Sequence, residues 1–445
     1  MRHIIVVLVI FVSFRAVSQI PEEYLELWDE KEVVERIETG IERNRKARAS
    51  IKFQSPNDEF IEVEKVSVRQ VSHDFLFGAN LFMLKGFDTK KQNSDFENAF
   101  THIFNFGTIP FYWSDLEPVQ GEPRFSKESV KILRRPAPDI VLDFCLENNL
   151  TPKGHPLIWE WYLPDWLPDN PDEQYQLMEK RFTEIAERYS DRIKYWDVTN
   201  ELTISRPDVI MPEDYALKAY KLSEKLFPSD NKSLINDLTD VWLNYNNEYS
   251  HYYQIIQNLR LRGAKIDGIG MQLHLFAPGL YQDVLNGDNL TPLHLFRVLD
   301  LYGNFNKPLH ISEVSIPTIP DDENGQQIQA SVVGNLYRLW FSHNAVQSIT
   351  WWNFADQTAT PNENKWKAGL LDANLDPKPS YNILNRLINN EWTTELDDIP
   401  FDGKVYRFKG FFGKYKVEIE KDGKLIVREI HLSKDGPRDF IINLE

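Results

Sequence analysis

The chain has 445 residues, 42% of them hydrophobic and 26% charged. This composition excludes a mostly disordered chain, because it supplies enough apolar surface for a core. The formal net charge is −17, and an acidic chain repels phosphate backbones, so neither nucleic acid nor another polyanion is an expected partner. Aromatic residues make up 13%, including 12 Trp, which can serve a core or provide stacking platforms for sugars and bases.

The N-terminus has the pattern of a secretion signal. An apolar run over residues 4–14 follows a short basic start, and Ala16-Val17-Ser18 is a small-residue cleavage site. The run is too short to span a bilayer, and no other stretch is long and apolar enough for a membrane span. We therefore predict cleavage near Ser18 and export of the protein. The single Cys145 is expected in the core and allows no internal disulfide. Export without disulfides favours a secreted or periplasmic bacterial protein.

Residues 74–392 alternate short apolar runs with longer amphipathic stretches. The predicted strands are residues 75–81, 105–111, 151–159, 194–200, 233–236, 266–275, 308–316 and 348–354. Helical periodicity lies between them, for example over residues 172–192 and 326–341. Eight strands alternating with helices predict an α/β protein, a (β/α)₈ TIM barrel. The alternative is a doubly wound sheet, which would normally carry a glycine-rich phosphate turn after the first strand; Phe77-Gly78-Ala79-Asn80 is not one.

Both ends of the chain are predicted to be β-rich. Residues 19–73 contain a predicted helix over 22–46 followed by extended segments, and residues 393–445 contain a predicted β-meander over 402–445. Each end alone is too small for a good core. We therefore predict one small β-rich appendage, built from both chain ends, beside a catalytic barrel of residues 74–392. Phe411 and Phe412 could bind a glycan there or pack on the barrel.

Two glutamates lie at the ends of predicted strands that are three apart in the ring. The fourth strand ends at Asn200 and Glu201, and the seventh carries Glu313. Barrel enzymes place their active sites at the C-terminal ends of the strands. Retaining glycosidases need two carboxyl groups about 5–5.5 Å apart, one nucleophile and one acid/base. Structural ion pairs at strand ends are the alternative interpretation.

Five motifs, in order within residues 104–390, resemble glycoside hydrolase family 10, the retaining endo-β-1,4-xylanase family of the large (β/α)₈ clan. They are GHPLIW at 154–159 with LPDW at 163–166, WDVTNE at 196–201, GIGMQLH at 268–274, ISE at 311–313, and GLLD at 369–372 with PKPSY at 377–381. The resemblance implies a double displacement on a xylan-like polysaccharide or oligosaccharide.

The resemblance also implies a role for each matching residue. Glu201 would be the acid/base and Glu313 the nucleophile, with no cofactor, no metal and no obligate protein partner. The implied substrate-binding residues are Asn200, His155, Trp159, Gln272, His274 and Trp352. Trp366, in a predicted loop, is a further candidate, and Tyr112 and Trp113, which the family pattern lacks, could bind a sugar by stacking. For the tryptophans, a place in the core or in a loop is the alternative.

Two positions depart from the family pattern. At the end of the second strand the family usually shows Glu-Asn-x-Met-Lys-Trp, whose polar residues hold the next sugar, whereas this chain has TIPFYW at 108–113. Two residues after Glu313 the family has an aspartate bonded to the strand-six histidine, whereas this chain has Ser315. Lost hydrogen-bonding groups change substrate preference. Another neutral β-glycan, such as a mannan, glucan or galactan, and a non-catalytic carbohydrate-binding protein therefore remain open.

Overall fold

The structure is a computed structural model that describes residues 20–397, 401 and 403–444. The predicted signal peptide, residues 1–18, lies outside the described residues. Among those that are described, no helix combines the length and apolar character needed to cross a membrane.

Fifteen strands and fourteen α-helices are present in the described part of the chain. The strands are β1 (Lys46–Gln54), β2 (Lys65–His73), β3 (Leu76–Asn80), β4 (Phe106–Pro110), β5 (Thr151–His155), β6 (Tyr195–Asn200), β7 (Lys232–Asp237), β8 (Gly268–His274), β9 (Leu309–Ser315), β10 (Val346–Trp351), β11 (Glu395–Leu396), β12 (Val405–Phe411), β13 (Gly413–Lys421), β14 (Lys424–Leu432) and β15 (Asp439–Asn443). The helices are α1 (Glu22–Asp29), α2 (Lys31–Asn44), α3 (Lys90–Ile103), α4 (Trp113–Leu116), α5 (Pro138–Glu147), α6 (Pro171–Tyr189), α7 (Tyr215–Leu226), α8 (Asp240–Leu243), α9 (His251–Leu261), α10 (Pro278–Leu285), α11 (Pro292–Gly303), α12 (Glu323–Ser342), α13 (Pro361–Asn364) and α14 (Pro379–Arg386).

Strands β3 to β10 form a closed parallel barrel in chain order, and β10 pairs with β3 to complete the ring. Each of the eight predicted strands corresponds to one of them, so the predicted (β/α)₈ barrel is confirmed and the doubly wound alternative is wrong. The barrel strands are buried along nearly their whole length, as expected for parallel strands that are covered on both faces. A Cβ at Gly154 would lie 2.2 Å from the Trp196 ring, so only glycine lets β6 pack this bulky side chain against β5.

The appendage consists of two sheets built from both ends of the chain, as predicted. One sheet has the order β12-β1-β15 and the other β11-β2-β13-β14. Their facing apolar side chains form a separate core that includes Ile51, Val68, Tyr406 and Val417.

Two details of the chain ends differ from the predictions, and a third resolves an open alternative. The predicted helix over 22–46 is broken at Glu30, whose backbone is not helical, and becomes α1 and α2. The C-terminal strands are not a simple meander, because β12 pairs antiparallel and β15 parallel with β1. Phe411 is buried in the core shared with the barrel, and Phe412 packs against the appendage core. Packing, not an exposed sugar platform, therefore accounts for these two aromatic residues. Cys145 is buried in α5, as predicted.

Candidate active site

The two predicted carboxylates lie at the same end of the barrel. Glu201 follows β6 directly, and Glu313 lies in β9 and is only 4% exposed. Glu201 has a left-handed backbone, with φ 58°, a conformation that costs a non-glycine residue about 1–3 kcal/mol and that clusters at active sites. Its amide donates to the Asn236 carbonyl at 2.9 Å, which anchors this turn to β7.

A single side-chain amide connects the two carboxylates. Gln272 Nε2 lies 3.2 Å from Glu201 Oε1 and 3.2 Å from Glu313 Oε1. These two oxygens are therefore no more than twice that distance apart. On β7, Asn236 Nδ2 donates to Glu313 Oε1 at 3.0 Å and to Asn200 Oδ1 at 2.7 Å. The amides of β7 and β8 thus fix the nucleophile candidate and its neighbours in one hydrogen-bonded layer.

Glu201 has an environment suited to a proton donor. Burial, and then the charge of Glu313, raise the pKa of Glu201 from 4.5 to about 8. A carboxyl group that stays protonated at neutral pH can deliver its proton to a leaving group. Glu313 instead receives hydrogen bonds from two side-chain amides, an arrangement that suits an acceptor.

His155 is oriented by a buried ionic network inside the barrel. Its Nδ1 lies 2.7 Å from Asp197 Oδ2, to which Lys153 Nζ is also paired at 2.9 Å. Burial would raise the pKa of Asp197, but Lys153 and His155 outweigh it and hold the value at about 2. The other ring nitrogen, Nε2, is directed toward the two carboxylates and lies 3.7 Å from Glu313 Oε1.

His274 connects the nucleophile candidate to Ser315. Its Nε2 lies 3.3 Å from Glu313 Oε2, and its Nδ1 lies 3.0 Å from Ser315 Oγ. A hydroxyl can donate to Nδ1 of a neutral imidazole, which leaves the Nε2 proton for Glu313. An aspartate could only accept from Nδ1. Ser315 therefore keeps the contact with His274 and, unlike an aspartate, is compatible with a ring that carries its proton only on Nε2.

An aromatic cluster forms the opposite side of the mouth. Phe82, Tyr112 and Trp352 are its buried members, and Trp159 and Tyr162 pack against them. The Trp352 ring lies 5.5 Å from the His155 ring and 6.5 Å from the His274 ring. The Trp159 indole is half-buried and stacks on Tyr162 at 4.9 Å, and its Nε1 has no hydrogen-bond partner within the described residues. Trp159 and Trp352 are therefore both positioned at the site.

Of the three remaining predicted binding residues, Trp113 and Tyr112 are almost completely buried and Trp366 is half-buried. Trp113 belongs to the main core, where its Nε1 donates to Glu117 at 3.1 Å. Trp366 lies in the loop after α13, half-buried, with the Lys365 ammonium 4.7 Å from its ring. Tyr112 is at the mouth, but it is 4% exposed and the Arg135 guanidinium covers its ring at 4.0 Å.

Sequence reasoning missed several residues of the site. Asp197 lies inside the WDVTNE motif and Asn236 ends the predicted strand 233–236, so their strand positions were the available signal. Phe82 and Tyr162 follow β3 and β5 by only a few residues, which also pointed to the mouth. Arg135 comes from a long loop after β4, and no pattern in that loop indicated it. Groups of three or more His, Cys, Asp or Glu arranged for a metal ion do not occur in the described part of the chain.

A closed (β/α)₈ barrel with two glutamates, two histidines and an aromatic cluster at the C-terminal ends of its strands defines the class: a glycoside hydrolase. The model of Glycosyl hydrolase family 10 matches residues 113–386, more than half of the chain. The chain belongs to this family.

Relatives and solved structures agree with this assignment. The Arabidopsis thaliana protein endo-1,4-beta-xylanase 3 is 22% identical over 435 residues, covering 94% of this chain and 52% of the relative. The anti-sigma-I factor RsgI6 of Acetivibrio thermocellus is 23% identical over 405 residues, covering 88% of this chain and 47% of the relative. The chain thus spans about half the length of these two relatives. The crystal structure of native xylanase 10B from Thermotoga maritima has a TM-score of 0.58 at 22% identity, covering 72% of this chain and 96% of that chain, and so shows a shared fold.

Proposed function

We propose that the protein is a secreted or periplasmic retaining endo-β-glycosidase that hydrolyses β-1,4-xylan or a xylan-like polysaccharide. The observation that carries this proposal is the Gln272 amide shared by Glu201 and Glu313, 3.2 Å from an oxygen of each. The two oxygens bonded to this amide can be no farther apart than twice 3.2 Å. This limit lies just below the roughly 6.5–9.5 Å that separates the carboxyl groups of inverting enzymes and is compatible with the roughly 5–5.5 Å of retaining enzymes.

In the proposed reaction, Glu313 attacks the anomeric carbon while protonated Glu201 gives its proton to the departing oxygen. Glu201 then removes a proton from water, which releases the sugar from Glu313 with its configuration retained. Asn200, held by Asn236, is placed to bond the sugar 2-hydroxyl, where hydrogen bonds strengthen in the transition state. Trp352 supplies the stacking floor.

The test uses Glu313→Ala protein with added azide. The variant should lose hydrolysis, and azide should restore turnover by forming a glycosyl azide. Glu248→Ala is the control, because Asn247-Glu248 repeats the Asn-Glu dipeptide of Asn200-Glu201 at an exposed position outside the barrel strands. Full activity of the Glu313→Ala variant would refute the assignment. Product analysis on a panel of xylan, mannan, glucan and galactan tests the glycan, and N-terminal sequencing of the exported protein tests cleavage near Ser18.

A second candidate is a non-catalytic carbohydrate-binding protein. It is favoured by the aromatic cluster at the mouth, which offers stacking surfaces for a sugar without itself taking part in bond cleavage. The paired carboxylates and the raised pKa of Glu201 support hydrolysis instead. Binding in affinity electrophoresis without release of reducing ends would favour this second function.

A further inference from the structure

Arg134 lies at the mouth of the barrel, next to the aromatic cluster. It comes from the loop between β4 and α5, and its Nη2 donates to Asn353 Oδ1 at 2.8 Å. Asn353 is buried and directly follows Trp352, the proposed stacking floor. The neighbouring Arg135 covers Tyr112. Arg134 therefore contacts the residue next to Trp352, and its own sequence neighbour contacts Tyr112.

Three features of Arg134 are unfavourable for stability. Its backbone is left-handed, with φ 63°, which is strained for a residue with a side chain. Its Nε is buried and has no hydrogen-bond partner within the described residues, and leaving a buried donor unsatisfied is unfavourable. A second cation, Arg135, is adjacent. Strained residues cluster at active sites and ligand-binding positions, which makes Arg134 a candidate for such a role.

The charges around the two arginines are not equivalent. Arg135 is paired with Asp115 at 2.8 Å. The Arg134 guanidinium, by contrast, makes its one hydrogen bond within the described residues to the neutral amide of Asn353. Glu363 is connected to it through that amide, since Asn353 Nδ2 donates to Glu363 Oε2 at 2.8 Å. Within the described residues, therefore, the Arg134 guanidinium has no direct carboxylate partner, although the chain has a net charge of −17.

The chemistry of this position favours an anionic ligand. A guanidinium carries five N–H donors, and its planar fork matches a carboxylate better than a sugar hydroxyl. We propose that Arg134 binds the carboxylate of a uronic acid carried by the glycan, beside the aromatic cluster that contains Trp352 and Tyr162. The inference rests on the proposed function, because it assigns a substituent to the same substrate. One such group on a neutral chain is compatible with the overall negative charge.

The experiment compares two matched substrates. One is a xylooligosaccharide with a single glucuronic acid branch, and the other is the same compound with its carboxyl reduced to an alcohol. The unmodified protein should show a kcat/KM about tenfold to hundredfold higher for the acid, the range of a charge-assisted hydrogen bond. Arg134→Gln should bring this ratio close to one, and Arg134→Lys should retain part of it.

The control is Arg262→Gln, which removes an exposed arginine paired with Asp214 and should leave the ratio unchanged. Thermal denaturation checks that each variant is folded. An unmodified protein without preference for the acid, or an Arg134→Gln variant that keeps the preference, would overturn the role of Arg134. If neither compound is cleaved, the proposed function fails instead; calorimetric titration of both compounds into Glu313→Ala protein then still measures the carboxylate preference.

Discussion

Replacing Glu201 by Gln should stabilise the folded protein at neutral pH while it removes most of the hydrolysis. Burial and Glu313 raise the pKa of Glu201 from 4.5 to about 8. At pH 7 the unfolded chain ionises this carboxyl, whereas the folded protein keeps it protonated. Taking up that proton on folding costs about 3 kcal/mol at 1.36 kcal/mol per pH unit. The amide of Glu201→Gln imitates the protonated carboxyl without this cost.

The pH dependence gives the sign of the effect. Since the folded pKa is raised, the stability contributed by Glu201 is fully present below pH 4.5 and is lost as the pH rises toward about 8. The gain from Glu201→Gln should therefore be near zero at low pH and about 3 kcal/mol at pH 7, a rise in Tm of about 3–4 °C for a chain of this size.

Thermal denaturation of the Glu201→Gln variant and of the unmodified protein, at pH 4.5 and at pH 7, measures this gain in stability. Glu248→Gln is the matched control, because Asn247-Glu248 repeats the same dipeptide at an exposed position, and it should change Tm little at either pH. A Glu201→Gln variant that is destabilised at pH 7, or equally affected at both pH values, would refute the reasoning.

Three further predictions concern the same layer of side chains. In the unmodified protein kcat/KM should fall above about pH 8, as Glu201 loses its proton; a profile that stays flat to pH 10 would contradict this. Asn236→Ala removes the amide that holds Glu313 and Asn200 and should lower kcat/KM by roughly tenfold to hundredfold in steady-state assays, and an unchanged value would separate this amide from catalysis. Ser315→Ala removes the partner of His274 Nδ1 and should lower kcat by roughly twofold to tenfold, with Ser315→Thr restoring the rate; loss without rescue would indicate a packing role.

The barrel could be predicted because its signals are local. Each strand is a short apolar run between helical patterns, and the ring closes in chain order. Glu201 and Glu313 follow from the same argument, since their strands end at one face of the barrel. The pairing of β15 with β1 could not be predicted, because it joins residues almost 400 positions apart and depends on which edge of β1 is left free by β12.

Side-chain direction is the second limit of sequence reasoning. Tyr112 and Trp113 are adjacent, yet one lies at the mouth and the other in the main core. The choice depends on the short helix α4, which begins at Trp113 and turns its indole toward Glu117. Nothing in the sequence distinguishes the two aromatic residues as binding platforms. The loop that carries Arg134 and Arg135 likewise has no periodic pattern to indicate where it lies.

The two halves of the mouth explain how the departures from the family pattern fit together. On β7, β8 and β9, the amides and His274 that hold Glu313 are all present, and Ser315 preserves the contact with His274. On the side of β4, the polar residues that hold the next sugar in the family are replaced by Tyr112 under Arg135. At this position the chain therefore has a packed aromatic ring covered by a cation, where the family pattern has polar side chains. We therefore expect the chemistry of bond cleavage to follow the family, while the choice of glycan is set on the aromatic side by contacts that differ from it.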